Sequence, residues 1–209
     1  ALPSGKVESY SLTLSEYGPV KYINEKPYAL SWAAHQPYAV NMQLLQLEQA
    51  QSVDDALDIA SDVGIPVQNL LVVDDQGNAA WKNMGGIPAR TTPSELAVKE
   101  EDYSALWQQN EIDRPFIKNP ENGRLWTGNS RVVSADDNVR FGNGGYALGA
   151  RATQIRDRLF EKQRFNESDF YQLQLDNQAR FLMPWHALLL EQLKKQPTRY
   201  KDHINALEN

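Results

Sequence analysis

Two residues of this chain have side chains able to orient or stabilise charge: Asn129, within Gly128-Asn129-Ser130-Arg131, and Arg151, which opens Arg151-Ala152-Thr153-Gln154-Ile155. A preorganised carboxamide N–H stabilises a developing oxyanion without losing its own proton. Asparagine beside glycine is also ordinary turn or cap material, and spacing alone favours that reading. On a helical wheel Arg151 lies one turn after Leu148 and one turn before Ile155, at the border of the apolar stripe, whereas Arg156 points well away from it. A guanidinium held there is partly desolvated and needs partners. The alternative is an edge arginine whose alkyl stem covers the stripe while its head stays in water.

Other chemistries find less support. His35, His186 and His203 share no metal-ligand spacing, and His35 is expected to pack beside Trp32. Asp74-Asp75 and Asp136-Asp137 offer oxygens to a hard cation, but aspartate pairs of this kind mostly form turns, and no metal or cofactor is assigned. Trp81, Trp107 and Trp126 suit either an acyl pocket or the core, with the core favoured for each. Neither a glycine-rich phosphate loop nor a Gly-x-Ser-x-Gly elbow is present.

These residues sit in a chain of 209 residues, 41% apolar, enough to build one sizeable core or part of a larger one. Its 21 basic and 27 acidic residues give a formal charge of -6 with no basic cluster, which argues against nucleic acid as a partner. No apolar run approaches the roughly 20 residues of a membrane helix, and the first residues lack a signal-peptide pattern. Without cysteine there is no disulfide framework, thiol nucleophile or cysteine-bound metal.

The elements that must position Asn129 and Arg151 can be read in order. Short alternating runs from Val7 to His35 predict strands with turns at Gly18-Pro19 and Lys26-Pro27. Asn41 to Ala50 suits a helix. A clearer one follows, with Ser52 as N-cap, Asp54 and Asp55 in the first turn, Val53, Ala56, Leu57, Ala60 and Val63 at helical spacing, and Gly64 and Pro66 as the stop. Leu70-Leu71-Val72-Val73, the turn Asp74 to Asn78, and Ala79-Ala80-Trp81 predict a hairpin of two central strands. Residues 84–124 read as a long irregular excursion, a kind of segment that tends to be functional. Beyond a short extended piece at Leu125-Trp126-Thr127 the pattern turns helical: Leu148, Ala152, Ile155 and Leu159 form one stripe, Asn166 or Ser168 caps a second helix, Pro184 begins a third, and the polar tail from Pro197 forms a last short one. Strands mainly first and helices mainly after them predict an α+β class, with residues 1–209 as a single partial domain: strands and two helices over 1–83, the excursion over 84–124 and a mainly helical part over 125–209.

Several fragments occur together in a recognisable order: Glu16-Tyr17-Gly18-Pro19-Val20, Leu30-Ser31-Trp32-Ala33-Ala34-His35, Gln68-Asn69 leading into Asp74 to Ala79, Gly86-Ile87-Pro88-Ala89-Arg90, Asn119-Pro120 with Gly128-Asn129-Ser130-Arg131, then Gly144-Gly145-Tyr146 and the Arg151 segment. Taken together the chain resembles the penicillin amidase family of N-terminal nucleophile hydrolases. Where that family often has His-Gly-Pro-Val and Ala-Asn-Asn-Arg, this chain has Tyr17-Gly18-Pro19-Val20 and Gly128-Asn129-Ser130-Arg131, differences that bear on substrate more than on class.

The resemblance implies part of a four-layer αββα sandwich and an acylase that cuts amides with an N-terminal serine. With Ala1 at its start, the chain is expected to be an internal piece of the catalytic beta subunit, inactive by itself and completed by the alpha subunit and other beta segments. Asn129 is implied to help hold the oxyanion, and Arg151 to order the site near the nucleophile's free amine. The implied substrates are amides of apolar or aromatic acids, such as penicillins or N-acyl homoserine lactones, and the implied location is the periplasm. Some relatives hold calcium. A non-catalytic binding or structural module of the same fold is the competing expectation. Because a partial sandwich leaves sheet faces or edges uncovered, with Leu12, Leu14, Leu30, Leu70, Val72 and Trp81 as the strand candidates, the piece is also expected to self-associate.

Overall fold

The computed structural model describes residues 5–90 and 96–208. They form two compact units: one runs up to Leu125 and takes in Arg131–Tyr146, and the other consists of Trp126–Ser130 and the residues from Ala147 onward.

In the first unit β1 (Leu14–Ser15), β2 (Gly18–Ile23) and β3 (Lys26–Ala29) form an antiparallel sheet in that order. The reversals fall at Glu16-Tyr17 and Asn24-Glu25, not at the expected pairs, which instead open β2 and β3. Asn24 and Glu25 carry the second turn with φ of 50° and 66°, the positive-φ geometry whose twist matches that of the flanking strands. Gly18 serves a different need. At φ 129° it lies so close to the neighbouring backbone that a Cβ would stand 2.2 Å from the Leu30 carbonyl oxygen.

The stretch Gln43–Gln49 is a 3-10 helix rather than an α-helix. Of its leucines Leu47 packs into the core while Leu44 and Leu45 stay exposed, so no continuous stripe rewards α-helical spacing. By contrast α1 (Val53–Asp62) forms as its caps dictate, with the Ser52 hydroxyl accepting the Asp55 N–H at 3.1 Å, an interaction worth about 1 kcal/mol. Its buried face carries Val53, Ala56, Leu57 and Ala60. Val53 and Leu57 pack with Ala80 and Val72, while Ala60 and Val63 pack with Met84 and Leu70.

The partners of α1 are the hairpin strands β4 (Gln68–Val73) and β5 (Ala79–Met84). Only β5 is central. A third strand, β6 (Phe116–Lys118), pairs with its far side, so β4 is an edge, and the excursion of residues 84–124 contains a strand. Three residues are too few for a period to show. Distant partners fix β6: the Ala79 N–H donates to the Asn119 carboxamide at 2.9 Å, and Lys118 pairs with Asp54 at 2.6 Å. A short helix, α2 (Ala135–Phe141), capped by Ser134, also belongs to this unit.

The second unit is helical: α3 (Ala150–Leu159), α4 (Glu167–Gln174), α5 (Met183–Leu193) and α6 (Lys201–Glu208). Asn166 and Asp169 form a reciprocal capping box on α4, and Pro184 stands in the first turn of α5, where its missing N–H costs nothing. Leu125-Trp126-Thr127 pairs with no described strand. No helix of the described residues is long and apolar enough to cross a membrane.

Candidate active site

Arg151 stands in the first turn of α3, and Asn129 in the irregular segment 22 positions earlier. Their side chains meet: Arg151 Nη2 donates to Asn129 Oδ1 at 2.6 Å. A guanidinium has no acceptor, so the oxygen of the carboxamide must be the atom that faces it. The bond therefore fixes the amide's orientation and leaves Nδ2, with both its hydrogens, turned away. Among the described residues Nδ2 has no hydrogen-bond acceptor.

The backbone around Asn129 is arranged for this contact. Asn129 takes φ 61°, the left-handed region that asparagine tolerates better than most residues, and its carbonyl accepts the Ala147 N–H at 2.8 Å. Gly128 is buried against α3, where a Cβ would lie 2.7 Å from the Ala152 nitrogen and 3.0 Å from its Cα. Only glycine lets this segment run so close to the helix. Arg151 is exposed rather than half desolvated, because α3 begins at Ala150 and Leu148 lies before it, outside the helical stripe that the sequence suggests. A cation in a first helical turn opposes the helix dipole, and the Asn129 oxygen offsets that cost through a charge-assisted bond.

Further along, α3 is tied to the segment after α4. Gln154 Nε2 donates to the Gln178 carbonyl at 2.9 Å, and Arg158 Nε pairs with Asp176 Oδ2 at 3.1 Å. The Gln154 side chain, then the Gln178 N–H and the Arg158 charge, hold the Asp176 carboxyl below the usual carboxylate range. The helix bearing Arg151 is thus anchored in the turns that follow the one meeting Asn129.

The penicillin amidase family model matches residues 4–209. The chain belongs to the penicillin amidase family. It is also similar to the solved thermostable penicillin G acylase from Alcaligenes faecalis, with a TM-score of 0.61 and 19% identity over 93% of this chain and 36% of that one. At that identity the likeness carries the fold: a mixed helix and sheet piece of the N-terminal nucleophile hydrolase architecture, with strands ahead of the main helices as the α+β reading expects. Comparison with curated proteins gives no match.

The remaining candidates of this penicillin amidase chain are occupied elsewhere. His35 packs edge-on against Trp32 with ring centroids 5.3 Å apart, and His186 Nε2 bonds the Leu207 carbonyl at 2.8 Å. Trp81 is buried and donates to Asn69 at 2.9 Å, Trp107 lies beneath the Arg90 guanidinium at 5.0 Å, and Trp126 meets Phe160 edge-on. Gly128 and Ala147 are the positioning residues that residue chemistry alone passes over. Glycine within the motif was the visible signal for the first; nothing in the sequence marks the second.

One aspartate of each pair that could offer oxygens to a hard cation is engaged within the chain. Asp74 Oδ1 accepts the Gln76 and Asn78 N–H groups, and its Oδ2 takes the Asn78 side chain at 2.9 Å and the Val53 N–H at 3.3 Å. Asp137 is engaged with Ser134 and Arg140. No group of three or more metal-ligating side chains converges among the described residues.

Proposed function

We propose that this chain contributes an oxyanion donor and its orienting arginine to an amidohydrolase that removes an apolar acyl group from an amide. The observation that carries the reading is the 2.6 Å bond from Arg151 to Asn129 Oδ1, because it presents Nδ2 as a preset donor. In this mechanism a serine hydroxyl attacks the amide carbonyl while the serine's own α-amine takes the proton. The carbonyl oxygen becomes an alkoxide held by Asn129 Nδ2–H. The amine leaves with the proton, and water then releases the acyl group from the serine ester. The serine of this mechanism is assigned to another segment of the acylase, since the chain covers 36% of the similar solved one, and the remaining segments are the proposed partners of this chain.

The acyl group is apolar or aromatic, as in penicillins or N-acyl homoserine lactones, and the location is periplasmic; family resemblance supports both. A boronic acid that forms a tetrahedral adduct with the serine of the whole acylase tests the site. A crystal structure of that adduct should have a boronate oxygen within about 3.2 Å of Asn129 Nδ2. An adduct whose oxygens all bond elsewhere would remove Asn129 from the mechanism.

A further inference from the structure

The segment that carries Asn129 belongs to the helical unit only over Trp126–Ser130, with Leu125 before it and Arg131 after it in the other unit. Its place on α3 is set at three points. Arg151 Nη2 holds the Asn129 oxygen at the first turn, and Gly128 presses on Ala152 one residue further along the helix. At the other end Trp126 meets Phe160 edge to face, with ring centroids 6.1 Å apart and planes at 85°. Phe160 is the C-cap of α3, and its N–H is bonded to the Arg156 and Asp157 carbonyls at 3.1 and 3.2 Å. The segment therefore runs antiparallel to the helix, from the C-cap at Trp126 to the first turn at Asn129. Between Arg151 and Phe160 the helix rises about 13 Å, whereas three extended residues span about 10 Å. The side chains at the two ends bridge the difference, and the backbone between them has little slack. Among the described residues Leu125, Trp126 and Thr127 make no backbone hydrogen bond, so within this chain the indole is the contact that holds the near end.

We infer that Trp126 is a positioning residue: seated on Phe160, it sets the register of the segment along α3 and through it the place of Asn129 Nδ2. The inference rests on the oxyanion role proposed for Asn129. Gly128 lets the segment lie close to the helix but has no side chain to lock into its surface, and the long Arg151 side chain can follow Asn129 as it moves. Sliding along the helix axis is thus the freedom that these two contacts leave open. An edge-to-face pair of rings closes it, because it sets the angle of approach as well as the separation. A slide that keeps the Arg151 bond still carries Nδ2 away from the forming alkoxide, and about 1 Å is enough to lower kcat by up to about 100-fold.

The test is a kinetic double-mutant cycle in the whole acylase on a phenylacetyl amide. Trp126→Ala and Phe160→Ala should each lower kcat about tenfold with KM little changed, and Trp126→Phe, which keeps a ring edge, should restore most of the loss. In an Asn129→Ala background the same substitutions should lower kcat by less than about twofold, since they act through a group already removed. Phe160 is 52% exposed, so its variant keeps the test open should Trp126→Ala fail to fold. Parental kcat in Phe160→Ala would overturn the inference. So would a further tenfold loss in the Asn129→Ala background, which would leave the oxyanion reading standing. A loss confined to KM would overturn it by assigning the indole to the acyl pocket. Parental kcat in Asn129→Ala alone would remove the oxyanion reading and this inference together.

Discussion

Gly128→Ala tests whether close backbone packing sets the position of Asn129. The added methyl would stand 2.7 Å from the Ala152 nitrogen, and ordinary contact begins at 3.4 Å, so the segment and α3 must separate by about 0.7 Å. The opposing atoms are backbone in the first turn of α3, so no flexible side-chain end can yield instead. Applied to the 2.6 Å contact between Arg151 and Asn129, that separation gives about 3.3 Å, past the ordinary range of a charge-assisted bond. The stability cost of such overpacking is about 1–3 kcal/mol. In the whole acylase a misplacement approaching 1 Å lowers kcat by up to about 100-fold. Urea denaturation of the chain reads the first effect, and the side-chain amide resonances of Asn129 read the second. Unchanged stability together with an unmoved Asn129 amide signal would refute the packing argument, since the methyl would then have found room the structure does not show.

Two other outcomes follow from the same geometry. The chain by itself should not turn over a chromogenic phenylacetyl amide, because none of its internal serines has a free α-amine; activity that coincides with the protein peak through successive columns would contradict this. Acid should weaken the helical unit below about pH 3.8, the ordinary value for its aspartates. Asp169 is depressed first by Lys162 and then by the Asn166 N–H, and Asp176 first by Gln154 and then by the Gln178 N–H. A depressed folded pKa contributes stability that is present above the unfolded value and is lost as pH falls through the folded one. Asp176→Asn should flatten that acid limb. An unaltered profile in this variant would show that the Asp176 carboxylate contributes nothing to the acid limb.

What could be read from the sequence follows from where each element takes its instructions. The signals for α1 are local: Ser52, two aspartates and a four-residue apolar face lie within one stretch, as do the residues of the Asp74 turn that joins β4 to β5. For β6 they are distant, since its pairing is secured by Asn119 on Ala79 and Lys118 on Asp54, and no window around Phe116 contains them. The segment Gln43–Gln49 fails in another way, having leucines at suitable spacing but core for only one. At the candidate site, residue types and a motif drew attention to Asn129 and Arg151. Their contact depends on a left-handed asparagine, a glycine pressed against α3 and the Ala147 N–H, none of which spacing reveals. Of the two readings of Arg151, partly desolvated or an edge arginine with its head in water, the second is observed, because the helix starts two residues later than Leu148.

The central claim, that Asn129 serves as an oxyanion donor, is tested most directly by steady-state kinetics of the whole acylase carrying Asn129→Ala on a phenylacetyl amide. A donor that acts on the developing alkoxide contributes in the transition state and little in the ground state, so kcat should fall by about 100- to 1,000-fold while KM changes little. A variant whose kcat stays within about threefold of the parent, or whose loss lies entirely in KM, would contradict the account.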